Sequence, residues 1–199
     1  MPNETNQNSR DPLLTLLEAH EPEDAQERAD LEAMRAAART LERPFSREQP
    51  GAHFTGSALV VDPEGRRACL VHHAKLNRWL QPGGHADEAD GGAMEVTALR
   101  EAREETGLQV RLHPTAPRPL DVDAHVIPAR GSEPEHRHLD VRYLVVADNP
   151  EALAHDPNES HGARWVGWDE ALAAADEPAL KRLIRKAQRV AIGPGSGPG

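Results

Sequence analysis

Residues 90–107 read DGGAMEVTALREAREETG, and the fold and the chemistry of the chain are best predicted from this segment. At about 100° per residue, the small and apolar side chains share one arc of a helix: Ala98, Leu99, Ala102 and Thr106. Asp90 has a side chain preferred at a helix N-cap, and Gly107 suits the left-handed position after a helix. The segment therefore predicts an amphipathic helix that packs on a core.

Three acidic side chains, Glu101, Glu104 and Glu105, fall on the neighbouring arc of this helix. Spacings of three and four residues bring their Cβ atoms to about 5–6 Å of one another, where like charges repel. One interpretation is a solvated acidic face that Arg100, four residues before Glu104, partly neutralises. The other is a site for a hard cation, because converging carboxylates are the ligands that Mg²⁺ and Mn²⁺ prefer.

The residues around the glutamates favour the cation site. Residues 100–108 read REAREETGL and follow a Gly83-Gly84 pair, a combination that resembles the box of the Nudix hydrolase family. That box is G-x5-E-x7-R-E-U-x-E-E-x-G-U, where U is a bulky aliphatic residue, and its central part would arise by chance here with odds on the order of 10⁻³. The similarity spans roughly residues 46–175 and includes motifs typical of one Nudix subgroup, HHAKLNRWLQPGGH and HRHLDVRYLVV.

The resemblance implies an α/β/α sandwich with a mixed β-sheet, to which this chain adds an N-terminal helical extension. It implies a hydrolase that cleaves the diphosphate linkage of a nucleoside diphosphate joined to another moiety, with Mg²⁺ or Mn²⁺ as cofactor. By the same resemblance, the metal ligands are the backbone carbonyl of Gly84 and the carboxylates of Glu101, Glu104 and Glu105. The resemblance leaves two candidates for the base that deprotonates the attacking water, Glu101 and Glu159. Glu159 lies in a late loop, where an ordinary loop carboxylate is the plainer interpretation.

The segment departs from the Nudix box just before the helix. Gly92 occupies the position of the lone glutamate of the box, and the loop after Gly84 is two residues longer than expected. Asp87, Glu88 or Asp90 would then have to replace that glutamate as the partner of the box arginine. This departure keeps an alternative open, a non-catalytic Nudix-like domain that binds a nucleotide for regulation.

Residues 136–147 alternate between polar and apolar side chains, which predicts a strand with one polar face. We predict that His138 and Arg142 on this face bind substrate, because a guanidinium suits phosphate oxygens. A polar sheet face in water is the plainer interpretation. A third interpretation is a histidine metal site built from His136, His138 and either His72 or His73, although no zinc-type spacing supports it.

The order of elements predicts one α/β-type domain. Strands are predicted at 53–62, 66–74, 78–80, 108–113, 119–127, 136–147 and 163–166, and helices near 168–175 and 178–191. We divide the chain into a disordered N-terminus (1–10), a helical extension (11–45), the Nudix hydrolase domain (46–191) and a flexible tail (192–199). The extension could form a homodimer interface.

The composition of the chain argues against several classes of partner and of function. The chain has 199 residues with a net charge of −10, which argues against bulk nucleic acid as a partner, and no apolar run approaches a membrane span. The expected partner is instead a small-molecule nucleoside diphosphate derivative. The single cysteine, Cys69, makes the cytoplasm the default location. A rival with the same fold is isopentenyl-diphosphate isomerase, which uses a cysteine, but Cys69 lies in the middle of a predicted strand.

Overall fold

A computed structural model describes residues 12–87, 90, 92–131 and 133–193. The predicted disordered N-terminus (1–10), Glu88 and positions 194–199 of the predicted tail lie outside the described residues. The described part contains five α-helices: α1 (12–18), α2 (Ala25–Thr40), α3 (Met94–Thr106), α4 (Trp168–Ala174) and α5 (Pro178–Ile192).

The described strands form one mixed sheet: β1 (Ala52–Val61), β2 (Arg67–His73), β3 (Arg78–Leu80), β4 (Gly83–His85), β5 (Val110–Leu112), β6 (Asp121–Ile127), β7 (His136–Ala147) and β8 (Ser160–Gly167). The central order is β3-β2-β1-β7-β5, with β4 paired to β1, β6 to β7 and β8 to β2. Only the β1–β7 pair among them is parallel. The sheet curls because strands such as β1 and β7 pair with more than two neighbours along their length.

Helices cover both faces of the sheet, so the chain folds as the predicted α/β/α sandwich. Side chains of α2 and α3 form one core with the sheet, and side chains of α4 and α5 form a second core on its other face. Along β1 the apolar side chains alternate between the cores, with Phe54 and Val60 in the first and Leu59 and Val61 in the second. Burial on both faces explains why residues 58–61 of β1 are continuously apolar.

Buried ion pairs connect the N-terminal helices to α5 at the edge of the sheet. Glu27 of α2 accepts a hydrogen bond from Lys186 Nζ at 2.5 Å, and His20 Nε2 lies 2.8 Å from the same carboxylate. Burial alone would raise the pKa of Glu27, but these hydrogen bonds hold it at about 2. Arg182 of α5 bonds Asp121 of β6 with both Nε and Nη2. The extension is therefore packed against the sheet rather than tethered to it.

Two local predictions before α3 are wrong. The helix begins at Met94, and Ala93 rather than Asp90 occupies the N-cap, where no side chain bonds the helix. The strand β4 was missing from the predicted elements, because three residues that include two glycines carry no strand pattern. The left-handed Gly107 is confirmed, with φ of 66°. Among the helices of the described residues, none has the length and apolar character needed to cross a membrane.

Candidate active site

The apolar face of α3 that the sequence predicted packs on β1, and the acidic face of the helix lies beside β4. Ala98, Ala102 and Thr106 are buried, as predicted. Gly56 of β1 lies beneath the helix, where a Cβ atom would come within 2.9 Å of the carbonyl oxygen of Met94. Glycine at this position therefore permits the close approach of strand and helix that places the glutamates.

Backbone groups of β4 hold two of the three glutamates. The amide of Gly83 donates a hydrogen bond to Glu105 Oε1 at 2.9 Å. A Cβ atom at Gly84 would lie 2.5 Å from Glu101 Cδ, so the carboxylate packs directly on the glycine backbone. Glu104 is 58% exposed, and its Oε2 atom lies 3.1 Å from Arg100 Nη1. The structure thus brings together Gly84, Glu101 and Glu105, with Glu104 at the rim.

The electrostatics of this cluster favour a bound cation. Burial, together with the negative charges of Glu101, Glu159 and Glu104, raises the pKa of Glu105 to about 8. The hydrogen bond from the Gly83 amide acts in the opposite direction and lowers it. Burial also raises the pKa of Glu101, with smaller contributions from Glu104 and Glu159. Carboxylates held this close are stable as anions only with a counter-charge among them. An all-oxygen donor set of this kind fits Mg²⁺ or Mn²⁺.

Arg100 supplies part of that counter-charge, and Asp90 fixes its orientation. The guanidinium donates to Asp90 Oδ2 at 2.9 Å, to the carbonyl of His85 at 2.8 Å and to Glu101 at 2.8 Å. Asp90 is buried and also accepts hydrogen bonds from the Thr97 hydroxyl and the amide of Asp87. Among the described candidates, Asp90 therefore replaces the missing box glutamate as the partner of the arginine.

We expect Asp90→Asn to lower the free energy of unfolding by about 2 kcal/mol, because it removes a buried, charge-assisted hydrogen bond. Asp87→Asn is the matched control, since its side chain is 66% exposed and lies 3.6 Å from Arg100. The control should change stability by less than about 0.5 kcal/mol. Urea unfolding of both variants measures the difference, and equal stabilities would contradict the role assigned to Asp90.

Glu159 lies in the exposed loop just before β8, within electrostatic reach of the glutamate cluster. Its carbonyl accepts a hydrogen bond from the amide of Ala74 at 3.0 Å, which anchors the loop to the end of β2. Burial is the largest cause of the raised pKa of Glu101 and of Glu105, and the negative charge of Glu159 contributes to both. Its role as the catalytic base stays a prediction.

The predicted polar face of β7 exists, but its arginine is already engaged. Arg142 is 2% exposed, and its guanidinium donates to Asp140 and Asp123, each at 2.8 Å. Its Nη1 atom makes no hydrogen bond to any described residue and lies 3.6 Å from Asp121. His138 lies on the same face, and burial lowers its pKa to about 2. Substrate binding by His138 and Arg142 stays a prediction.

The histidine group differs from the one considered in the sequence. His136 and His138 do lie together, but their third neighbour is His53 of β1 rather than His72 or His73. The ring of His72 instead packs on Trp79, with centroids 4.9 Å apart. His53 was not considered for this group, because it reaches His138 only through the parallel pairing of β1 and β7, which joins residues far apart in the sequence.

Cys69 is unsuited to the isomerase alternative. The thiol is free and fully buried in the first core. Burial, with a smaller contribution from the charge of Glu105, raises its pKa to about 12. A thiol that stays protonated at neutral pH is a poor nucleophile. The interpretation of Cys69 as a core residue is therefore preferred.

A curled mixed sheet between helices, with an acidic helix set against a glycine pair, defines a domain of the Nudix type. The profile of the NUDIX domain family matches residues 53–187, and the chain therefore belongs to this family. No curated protein matches the chain in sequence.

Solved structures that share the fold include the following two. An Ap4A hydrolase from C. elegans is 19% identical, with a TM-score of 0.52 over 67% of this chain and 93% of that one. The E. coli dihydroneopterin triphosphate pyrophosphohydrolase is 12% identical, with a TM-score of 0.52 over 67% of this chain and 92% of that one. At these identities the likeness establishes the common fold alone.

Proposed function

We propose that the chain is a Mg²⁺- or Mn²⁺-dependent pyrophosphohydrolase that cleaves the diphosphate linkage of a nucleoside diphosphate derivative. The supporting observation is the arrangement of Glu101 and Glu105 against the backbone of Gly83 and Gly84, with Glu104 beside them. A diphosphate is an anion, and it would be repelled from three carboxylates that lacked a cation between them.

In this proposal the residues of the site have two roles, which are binding of the cation and acceptance of a proton. Glu101, Glu104, Glu105 and the carbonyl of Gly84 would hold the cation. When bound, a divalent cation neutralises phosphate charge and lowers the pKa of a coordinated water. Glu101 or Glu159 would accept the proton of the attacking water, and the exposed position of Glu159 leaves it free to approach a bound substrate.

The alternative of a non-catalytic, nucleotide-binding domain loses its main support in the structure. That alternative depended on the missing box glutamate at Gly92. Asp90 bonds Arg100 from a different position in the longer loop, so the arginine is still fixed beside Glu101. Glu101 and Glu105 pack against the glycine backbone with Glu104 beside them, which supports a cation site. Nothing in this arrangement favours binding without catalysis.

A panel of nucleoside diphosphate derivatives tests the proposal. Suitable compounds are ADP-ribose, NADH, dinucleoside polyphosphates such as Ap4A, nucleotide sugars and nucleoside triphosphates. Products would be separated by chromatography after incubation with Mg²⁺, with Mn²⁺ or with excess chelator. Glu104→Gln, purified in the same way, is the control for contaminating phosphatases. We expect metal-dependent cleavage of at least one compound by the native chain and activity near background in the variant.

Two results would overturn the proposal. Binding of a nucleotide without cleavage of any compound would favour the regulatory domain. Cleavage that persists in excess chelator, or that is equal in Glu104→Gln, would show that these glutamates do not hold a catalytic cation.

A further inference from the structure

Three imidazoles meet at one end of the parallel β1–β7 pair. His53 of β1 lies directly opposite His138 of β7, and His136 lies two residues earlier on the same face. One ring nitrogen from each histidine can be chosen so that all three nitrogens lie within 4.8 Å of one another. The Nε2 atoms of His136 and His138 are 3.3 Å apart. We call this group the histidine cluster.

The histidine cluster is separate from the glutamate site. Gly56 of β1 and Gly84 of β4 face α3, because a Cβ atom on either would meet that helix. Side chains alternate along a strand, so His53 and His85 point to the opposite face of the sheet. The rings of His53 and His85 lie 4.9 Å apart, in agreement with this placement. A ligand of the histidine cluster would therefore not be the cation proposed for the glutamates.

Buried nitrogens without partners indicate that the cluster has a ligand. His53 is 1% exposed, and within the described part of the chain neither its Nδ1 nor its Nε2 makes a hydrogen bond. The Nε2 atom of neighbouring His85 is also buried and has no partner among those residues. An imidazole nitrogen buried without a partner costs free energy, and such groups in native proteins usually bind water, an ion or a ligand.

The orientation of His136 matches that of a metal-binding histidine. Its Nδ1 lies 3.0 Å from the carbonyl oxygen of Pro134, and donation of that proton leaves Nε2 as the lone-pair nitrogen facing the cluster. Tetrahedral zinc with bonds of about 2.0–2.1 Å to nitrogen separates its ligands by about 3.3 Å. The His136–His138 spacing equals that separation.

We propose that His53, His136 and His138 together bind one divalent transition-metal cation of the zinc class. Nitrogen donors favour Zn²⁺, Co²⁺ or Ni²⁺ over Mg²⁺, which prefers oxygen. The ion would join β1 to β7, with His85 as the adjacent unpartnered side chain. This assignment gives His138 the role of a metal ligand in place of the substrate contact predicted from the sequence. It is independent of whether the glutamate site is catalytic.

Metal binding is measured directly on the full chain without a histidine tag. The protein is stripped with chelator and titrated with Zn²⁺ or Co²⁺ in the presence of excess Mg²⁺, which occupies the glutamates. We expect one Zn²⁺ per chain and, with Co²⁺, the visible absorption of a low-symmetry, nitrogen-bound ion. Glu104→Gln should bind the same amount with the same affinity. Loss of Zn²⁺ in Glu104→Gln would overturn the proposal by placing the ion on the glutamates.

Histidine variants identify the ligands. His53→Gln and His138→Gln should each weaken Zn²⁺ binding by more than roughly 100-fold, whereas His155→Gln, an exposed histidine outside the cluster, should bind as the native chain does. His138→Cys separates ligation from folding, because a cysteine ligand adds a thiolate-to-cobalt charge-transfer band in the near-ultraviolet. Undiminished binding in both glutamine variants, or a cobalt-loaded His138→Cys protein without that band, would overturn the proposal.

Discussion

Replacement of Glu105 by glutamine is expected to lower kcat/KM for pyrophosphate hydrolysis by about 10³-fold in the presence of Mg²⁺. In the native chain the amide of Gly83 donates a hydrogen bond to Glu105 Oε1. The glutamine side chain keeps an oxygen that can accept the same hydrogen bond. The variant therefore loses the negative charge while it retains the local geometry. Because the charge would contribute to cation binding, higher Mg²⁺ concentrations should restore part of the lost activity.

The same substitution should stabilise the metal-free fold. The folded-state pKa of Glu105, about 8, is above the ordinary value of 4.5. As pH rises from 4.5 to 8, the unfolded chain ionises this group while the folded chain keeps its proton, so native stability falls relative to the variant. The difference should be small at pH 4 and on the order of 3 kcal/mol at pH 7. Urea unfolding at both pH values in chelator measures it.

Glu95→Gln is the control for both measurements. Glu95 lies on the same helix but outside the acidic arc, where its carboxylate is 3.5 Å from the Tyr143 hydroxyl. We expect nearly native activity in this variant and no gain in stability as pH rises. If Glu105→Gln were active or less stable than the native chain at pH 7, Glu105 would be a structural residue rather than a member of a cation site.

The helix that carries the glutamates was predictable because its determinants are local. The periodicity of Ala98, Ala102 and Thr106 defines the buried face, and Gly107 ends the helix at the predicted residue. The alternation along β7 likewise predicted its polar and apolar faces, since a strand fixes the direction of each side chain. These predictions needed no knowledge of which strands pair.

Contacts that depend on strand pairing or loop geometry were not predictable in the same way. His53 joins His136 and His138 through the parallel register of β1 and β7, which no local pattern of either strand specifies. Asp90 was one of three candidates as the partner of Arg100, because the longer loop allows several paths. The choice depends on the hydrogen bonds that Thr97 and the Asp87 amide make to the same carboxylate.

Gly84→Ala is expected to lower kcat/KM by about 10²-fold and to leave the stability of the fold nearly unchanged. The new Cβ atom would lie 2.5 Å from Glu101 Cδ, so the carboxylate must move away. This atom belongs to the end of a flexible side chain, and its displacement costs little folding free energy. A cation site cannot accept the same displacement, because a shift of about 1 Å in a positioned group costs on the order of 10²-fold in rate.

Gly162→Ala provides the matched control. Gly162 lies in β8, and a Cβ atom there would meet no atom of the residues that the structure describes within 4 Å. Both variants add one methyl group to a strand glycine, so a difference in kcat/KM between them reports on the contact with Glu101. Calorimetric titration with Mg²⁺ should show weaker binding for Gly84→Ala alone. Equal activity of the two variants would mean that the carboxylate of Glu101 need not rest on the Gly84 backbone during catalysis, which would leave Glu104 and Glu105 as the principal cation ligands.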